Sequence, residues 1–379
     1  MSQSPALARG AKPIRVMVVD DSAVIRGLVS SWVKSEPDLE VAASCFNGLD
    51  ALRHIRASRA EVVVLDIEMP DMDGLTALPK LIQAAPGVKI VMSSTLTQKN
   101  AEISIRALSM GAADYIPKPQ STQEITASSD FRADLIEKVR TLGAASRGLH
   151  APAPAPGRPA APRPKTSSAA WTKSSGAVSL LRLQPRRREI IAIGSSTGGP
   201  QALSKVLGDI GKRVSVPILI TQHMPKMFTA ILAEHISKSA GRPCEEAKDG
   251  ETISNGRIYL APGDFHMRVV DKGGRKCLQL SQDPPINYCR PAVDPMFESV
   301  AQHYGASALG VVLTGMGNDG ADGGRQISQA GGALIAQDEA TSVVWGMPGA
   351  TAHTGACHKV SPLGQVGADI INITQGVGG

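Results

Sequence analysis

The chain has 379 residues, of which 42% are hydrophobic, and a formal charge of +6. That is room for two or three domains with sizeable cores, yet no apolar run approaches the roughly 18 residues that cross a bilayer, and the first dozen residues lack the apolar stretch of a secretory signal. The location of the charge argues against a nucleic-acid surface. Residues 141–188 hold nine Lys/Arg and no Asp or Glu, so the rest of the chain is net −3, and at 3% aromatics it offers few stacking platforms.

The first 140 residues alternate strand-like and helix-like pieces. Ile14–Val19 is apolar, β-branched and stops at Asp20-Asp21; Ser22 then caps a helix expected over 23–35, with Val24, Ile25, Leu28, Val29 and Trp32 on one face. Val62–Leu65 is a buried-type strand ending at Asp66. Gly74–Ala85 reads as a helix, Ile90–Met92 as a strand running into Ser93-Ser94-Thr95, and Asp114–Ile116 as a strand before Pro117-Lys118-Pro119. Asp71 and Asp73 read as loop residues. Strands alternating with helices predict a parallel sheet covered on both faces. In such a sheet, ligands bind outside the carboxyl ends of the strands. Asp20, Asp21 and Asp66 would meet there and repel one another unless a hard cation such as Mg²⁺ shared them. Lys118 would supply a point charge for a phosphoryl group, and Ser94, flanked by Ser93 and Thr95, a hydroxyl.

Val18–Ser22, Leu65–Gly74 and Lys118-Pro119 resemble the receiver domain of two-component response regulators over residues 13–140. The resemblance implies a flavodoxin-like fold in which Asp66 is phosphorylated, Asp20, Asp21 and Asp66 hold Mg²⁺, Lys118 contacts the phosphoryl group and Ser94 is the switch hydroxyl.

Residues 141–188 alternate Ala, Pro and Arg in runs such as Ala151-Pro152-Ala153-Pro154 and Arg158-Pro159. Such a stretch favours extended polyproline II and lacks the apolar content to fold, so it predicts a flexible, basic, Pro/Ala/Arg-rich linker.

The C-terminal unit, expected over 189–376, repeats the α/β theme. Ile190–Ile193, Val216–Ile220, Leu309–Leu313 and Leu334–Ala336 read as strands, and 200–210, 227–239 and 321–330 as helices; residues 244–285 give the weakest pattern. The first strand feeds Gly194-Ser195-Ser196-Thr197-Gly198, a Gly-x-Ser-x-Gly turn of the kind that lifts a serine hydroxyl out of a sheet beside a helix N-terminus. A phosphate-cradling loop is the chief rival, but the Lys-Ser/Thr ending of a P-loop is missing. An alcohol becomes a nucleophile only with a base, and the base needs an orienting group. His223 follows one apolar run and Asp319 lies in a Gly-rich loop after another, so both would reach the edge that carries Ser196. The order Ser…His…Asp differs from that of the α/β-hydrolases.

These segments, with Leu260–Met267 and Arg290–Asp294, are similar to the catalytic domain of the chemotaxis methylesterase (CheB) family from about residue 189 onward. The resemblance implies a Rossmann-like domain with Ser196 as nucleophile, His223 as base, Asp319 as orienter and the Met316 backbone N–H near the oxyanion. Ser195 stands where the family has Ala. His266 reads either as a contact supporting the site or as a loop histidine.

The overall expectation is therefore two open, doubly wound parallel-sheet domains. Their function would be that of a phosphorylation-activated hydrolase acting on glutamate γ-methyl esters, and on glutamines, of methyl-accepting chemoreceptors. A chemotaxis histidine kinase would be the phosphodonor, and the receiver would cover the site at rest. Mg²⁺ is expected for receiver phosphorylation and no cofactor for hydrolysis. The five scattered cysteines (Cys45, Cys244, Cys277, Cys289, Cys357) form no C-x-x-C pair, which predicts neither a disulfide framework nor a zinc site and fits a reducing cytoplasm. A monomer is expected, without nucleic-acid binding or membrane insertion. The open alternatives are a regulator with a non-catalytic output domain and a constitutive esterase with a degenerate receiver.

Overall fold

The computed structural model describes residues 12–95, 97–119, 129–148 and 178–377. The Ala/Pro/Arg run of the expected linker (151–164) lies outside them.

Five short strands build the first sheet: β1 (Ile14–Val19), β2 (Leu39–Cys45), β3 (Val62–Asp66), β4 (Lys89–Thr95) and β5 (Asp114–Lys118), all parallel in the order β2-β1-β3-β4-β5. Helices α1 (Ala23–Lys34), α2 (Gly48–Ser58), α3 (Gly74–Ala84), α4 (Gln98–Ser109) and α5 (Ser129–Ser146) cover it. Each of the first four starts where a short polar side chain can accept from a backbone N–H. Ser22 accepts from Ile25 N at 3.4 Å, Asn47 from Asp50 N at 2.9 Å, Asp73 from Thr76 N at 2.7 Å and Thr97 from Asn100 N at 3.2 Å. Asp73 is thus a helix cap, and Asp71 accepts from Asn47 Nδ2 at 2.8 Å. The chain changes direction between β1 and β3, and this switch point opens the crevice where Asp20, Asp21 and Asp66 sit.

The second sheet is parallel, in the order β14-β13-β12-β6-β7-β9-β8. Its strands are β6 (Ile190–Ser195), β7 (Ile218–Gln222), β8 (Cys244–Glu246), β9 (Ile258–Leu260), β12 (Ala308–Val312), β13 (Ala333–Gln337) and β14 (Lys359–Ser361). The part of the sequence with the weakest pattern holds β8, β9 and an antiparallel hairpin of β10 (His266–Lys272) and β11 (Arg275–Ser281) turning at Gly273-Gly274. Helices α6 (Gly199–Ile210), α7 (Lys226–Ala240), α8 (Val293–Tyr304), α9 (Ala321–Gln329), α10 (Met347–His353) and α11 (Leu363–Gln375) complete the unit. Strands β6, β7 and β12 are buried throughout, which is why they read as unbroken apolar runs. The switch point lies between β6 and β12. Both continue past their carboxyl ends into glycine-rich loops.

The two units touch. Tyr115 of β5 stacks on Phe228 of α7 with ring centroids 4.4 Å apart, and Met316, Val343 and Val344 pack against the apolar side chains under α5. Among the described residues, no helix is long and apolar enough to cross a membrane.

Candidate active site and phosphoacceptor pocket

Register brings the serine and histidine segments together. Ser195 pairs with Gln222 across β6 and β7, so Ser196 and His223 are the next residues on adjacent strand ends, which lie about 4.8 Å apart in a parallel sheet. The loop after β12 closes over them. A Cβ on Gly315 would stand 2.9 Å from Ser196 Cβ and 3.0 Å from Ser196 N, so only glycine admits this approach. Gly198, at φ +76, turns the chain into α6 and leaves Ser196 beside that helix N-terminus.

The two adjacent serines differ in their surroundings. Ser195 is buried, and its hydroxyl donates to Gln222 Oε1 at 2.7 Å; Gln222 Nε2 in turn donates to the Ser196 carbonyl at 2.9 Å. Ser196 is half-buried, and its hydroxyl makes no hydrogen bond among the described residues. No backbone carbonyl among them accepts from the Met316 N–H.

His223 Nε2 lies 2.7 Å from Asp319 Oδ2. Asp319 is held in turn by the N-terminus of α8. Val293 N donates to Oδ2 at 2.6 Å, and Asp294 N to Oδ1 at 3.1 Å; Asn287 Nδ2 adds a bond to Oδ1 at 3.2 Å. Burial works against its charge, but His223 and these N–H groups outweigh it and hold its carboxyl below the ordinary value. Asp294 goes the other way: burial, then the Asp319 charge beside it, push it up to about 7. Its Oδ1 accepts from Gly320 N at 3.0 Å and Gly323 N at 2.8 Å. With Asp319 on Nε2, Nδ1 is the imidazole nitrogen left for proton transfer, and Cys289 Sγ lies 3.4 Å from it. Burial would lower His223, but Cys289 and Asp319 together push it up to about 10.

His266 lies beneath this edge, fully buried. It donates from Nε2 to the Pro284 carbonyl at 3.2 Å and accepts at Nδ1 from Ala292 N at 3.2 Å, so it holds the two ends of the 284–292 segment. Sequence reasoning missed Cys289, Asn287 and Gln222. The first two reach the site from an irregular turn, and Gln222 looks like one more strand residue.

In the first unit, Lys118 Nζ bridges Asp20 Oδ2 at 2.6 Å and Asp66 Oδ1 at 2.7 Å. Carboxylate oxygens of Asp20, Asp21 and Asp66 lie within 4.8 Å of one another. Burial raises Asp66 to about 6; Lys118 opposes this and Asp20 adds to it. Three hard oxygen donors on one crevice fit a divalent cation that keeps several waters, as Mg²⁺ does. Ser94 Oγ lies 3.2 Å from Ser104 Oγ of α4, both buried, while Thr95 Oγ1 accepts from Asn100 Nδ2 at 2.8 Å.

The two sites are linked by β5. Lys118 ends it at the acidic crevice; Asp114 begins it at the contact with the second unit. There the buried Asp114 Oδ2 accepts from Thr197 Oγ1 at 2.7 Å and from Lys138 Nζ of α5 at 2.7 Å. Gln201 Nε2 donates to the Leu108 carbonyl at 2.6 Å, and Thr141 Oγ1 to Met316 Sδ at 3.2 Å. The residue after Ser196 and the side chain of Met316 are therefore both held by the first unit.

Residues 191–370 match the CheB methylesterase family and residues 16–130 the response regulator receiver domain. A protein-glutamate methylesterase/protein-glutamine glutaminase of Rhodopseudomonas palustris (strain BisB5) is 50% identical, with 96% of this chain and 95% of that one covered. A second protein of that name, from Paramagnetospirillum magneticum, is 53% identical over 95% of this chain and 96% of its own. The crystal structure of the Thermotoga maritima CheB methylesterase catalytic domain is 37% identical, covers 49% of this chain and 99% of that one, and superposes with a TM-score of 0.48. The chain thus belongs to the CheB methylesterase family, with a response-regulator receiver domain ahead of its methylesterase domain.

Proposed function

We propose that this protein is a phosphorylation-activated serine hydrolase that removes methyl groups from glutamate γ-methyl esters of methyl-accepting chemoreceptors and deamidates receptor glutamines. The observation that carries the reading is the His223–Asp319 pair at 2.7 Å on the strand-end crevice, one strand from a Ser196 hydroxyl that makes no hydrogen bond among the described residues, in a chain half identical to named methylesterases over nearly its whole length.

Ser196 Oγ attacks the ester carbonyl and its proton passes to His223, whose imidazolium the Asp319 carboxylate stabilises. The Met316 N–H, which no backbone carbonyl among the described residues takes, serves the charge that develops on oxygen; one such donor is worth about 3–4 kcal/mol. Methanol leaves with the proton from His223. Water then attacks the acyl-enzyme through the same base, which releases the glutamate carboxylate and restores Ser196. With a glutamine side chain, ammonia leaves in place of methanol.

The division of labour follows residues 13–140 as receiver, 141–188 as linker and 189–376 as catalytic domain. A chemotaxis histidine kinase donates the phosphoryl group to Asp66, next to Lys118 and with Ser94 as the switch hydroxyl. Asp20, Asp21 and Asp66 would hold Mg²⁺, which when bound offsets the negative charge of the phosphoryl oxygens. A phosphoryl group adds about −1.5 to −2 charges to this crevice, pulls Lys118 from its carboxylate partners and loosens the contact at the far end of β5. The protein acts as a cytoplasmic monomer with no nucleic-acid partner.

Methanol released from methylated receptor membranes, with and without a small phosphodonor, is the direct test. Release that depends on Ser196 and rises with phosphodonor is expected. Release that survives Ser196→Ala at the wild-type rate would refute the assignment.

A further inference from the structure

The turn from Ile286 to Cys289 reaches over the crevice and touches both ends of the histidine–acid pair. Asn287 Nδ2 bonds Asp319 Oδ1 at 3.2 Å and Asp294 Oδ2 at 3.1 Å, and Cys289 Sγ lies 3.4 Å from His223 Nδ1. The turn is fixed. Ile286 and Cys289 bond each other's backbones, at 3.1 and 2.8 Å, around Asn287 and Tyr288, which both stand at positive φ (51 and 62). Below it, His266 pins Pro284 and Ala292, and Arg290 is gripped by Asp264 at 2.5 Å. Among the five cysteines, Cys289 is half-buried and the other four are buried.

An imidazole has two nitrogens, and Asp319 takes one of them. Ser196 and Cys289 therefore need the same atom, Nδ1, and in this structure the thiol has it. We propose that Cys289 is a positioning residue for the catalytic base: its sulfur holds the His223 Nδ1 edge in an idle state, and the imidazole serves Ser196 only when that contact is given up. The inference rests on the reading of His223 as the base. Its chemistry needs no added reactant: the proton shared between sulfur and Nδ1 stays on the sulfur as S–H when that contact is given up, so Nδ1 reaches the serine oxygen free to accept its proton.

The charged and titratable groups facing His223 are Cys289 from the turn, Asp319 from the loop before α9 and, behind Asp319, Asp294 of α8; the Arg290 charge is spent on Asp264. Burial would lower His223, but Cys289 and Asp319 together outweigh it and raise it to about 10. A base that still carries its proton near neutrality cannot take one from serine. Each tenfold rise in the neutral fraction corresponds to a fall of about one in its pKa.

The test follows the imidazole directly. In the full-length chain with ¹⁵N-labelled histidine, the His223 ring nitrogens are titrated by NMR in the wild type, Cys289→Ala and Cys289→Ser. The expected result is deprotonation of His223 at a pH lower by about one or more in both variants, since neither an alanine methyl nor a serine hydroxyl reproduces the contact of sulfur with Nδ1. The acid limb of kcat for methanol release should move by the same amount, which raises the rate near neutrality about tenfold or more with KM unchanged. A His223 titration that stays put in folded Cys289→Ser overturns the proposal, whatever the turnover. A titration that moves while no variant releases methanol from receptor membranes sustains the positioning role and overturns the methylesterase reading instead.

Discussion

Thr197→Val isolates the contact between the two domains. The side chain keeps its volume and loses one hydroxyl, the one that donates to Asp114 Oδ2 at 2.7 Å. Both residues are buried (4% and 6% exposed), so in the docked state nothing replaces the lost donor. Lys138 stays on the same carboxylate oxygen at 2.7 Å, so the acid is not left without a counter-charge. A hydrogen bond to a charged group nets about 1.5–3 kcal/mol, and about 1.4 kcal/mol is a factor of ten in an equilibrium. The undocked fraction should rise about 10- to 150-fold. Because Thr197 stands next to Ser196, a ceiling control is needed. Methanol release is measured without phosphodonor and again at saturating phosphodonor. The variant should show a raised basal rate, an unchanged maximum and a stimulation factor smaller by the ratio of the basal rates. A folded variant whose basal rate stays within about twofold of wild type would show that this bond does not restrain the enzyme; a lowered maximum would show that Thr197 acts in the chemistry.

Ser196→Ala should abolish both turnover and labelling by a serine-reactive fluorophosphonate with no change in melting temperature, whereas Ser195→Ala should leave labelling intact but lower stability by about 1–3 kcal/mol, because Gln222 Oε1 is buried without its donor. A shift of the label to Ser195 would reverse the assignment. Asp66→Asn should remove both autophosphorylation from acetyl phosphate and the stimulation; a variant that is still stimulated by phosphodonor would refute this. The Asp294 carboxyl, raised to about 7, binds its proton more tightly in the folded state than in the unfolded one. Its contribution to stability is therefore complete below the ordinary carboxylate value of about 4 and is lost as pH rises from there to about 7. Asp294→Asn should flatten that slope in urea denaturation at a series of pH values, and a parallel pair of curves would contradict it.

Much of the molecule is legible in the sequence wherever burial leaves a local mark. Strands β1, β3, β6 and β12 bury both faces and are written as apolar runs; Ser196, His223, Asp66 and Lys118 stand out as candidates because each closes or follows such a run. Strand β2 is an edge strand with several half-buried positions, among them Glu40, and an exposed Ser44, and its mixed composition hides it. The hairpin of β10 and β11 does carry a local signal, Gly273-Gly274 between two strand-length segments, but neither strand belongs to the parallel sheet that the rest of the pattern announces. The interdomain bond from Thr197 to Asp114 spans 83 positions and the approach of Cys289 to His223 spans 66. Neither leaves any periodic trace, because both are set by how finished domains and loops meet.

Ser196 and Thr197 are consecutive, yet one faces the crevice and the other is spent on a neighbouring domain. A receiver brought in from another regulator therefore keeps this bond only if it carries an acceptor at the place of Asp114. For the same reason, a substitution at Thr197 sits one peptide bond from the proposed nucleophile. The two halves of this chain cannot be re-engineered one at a time.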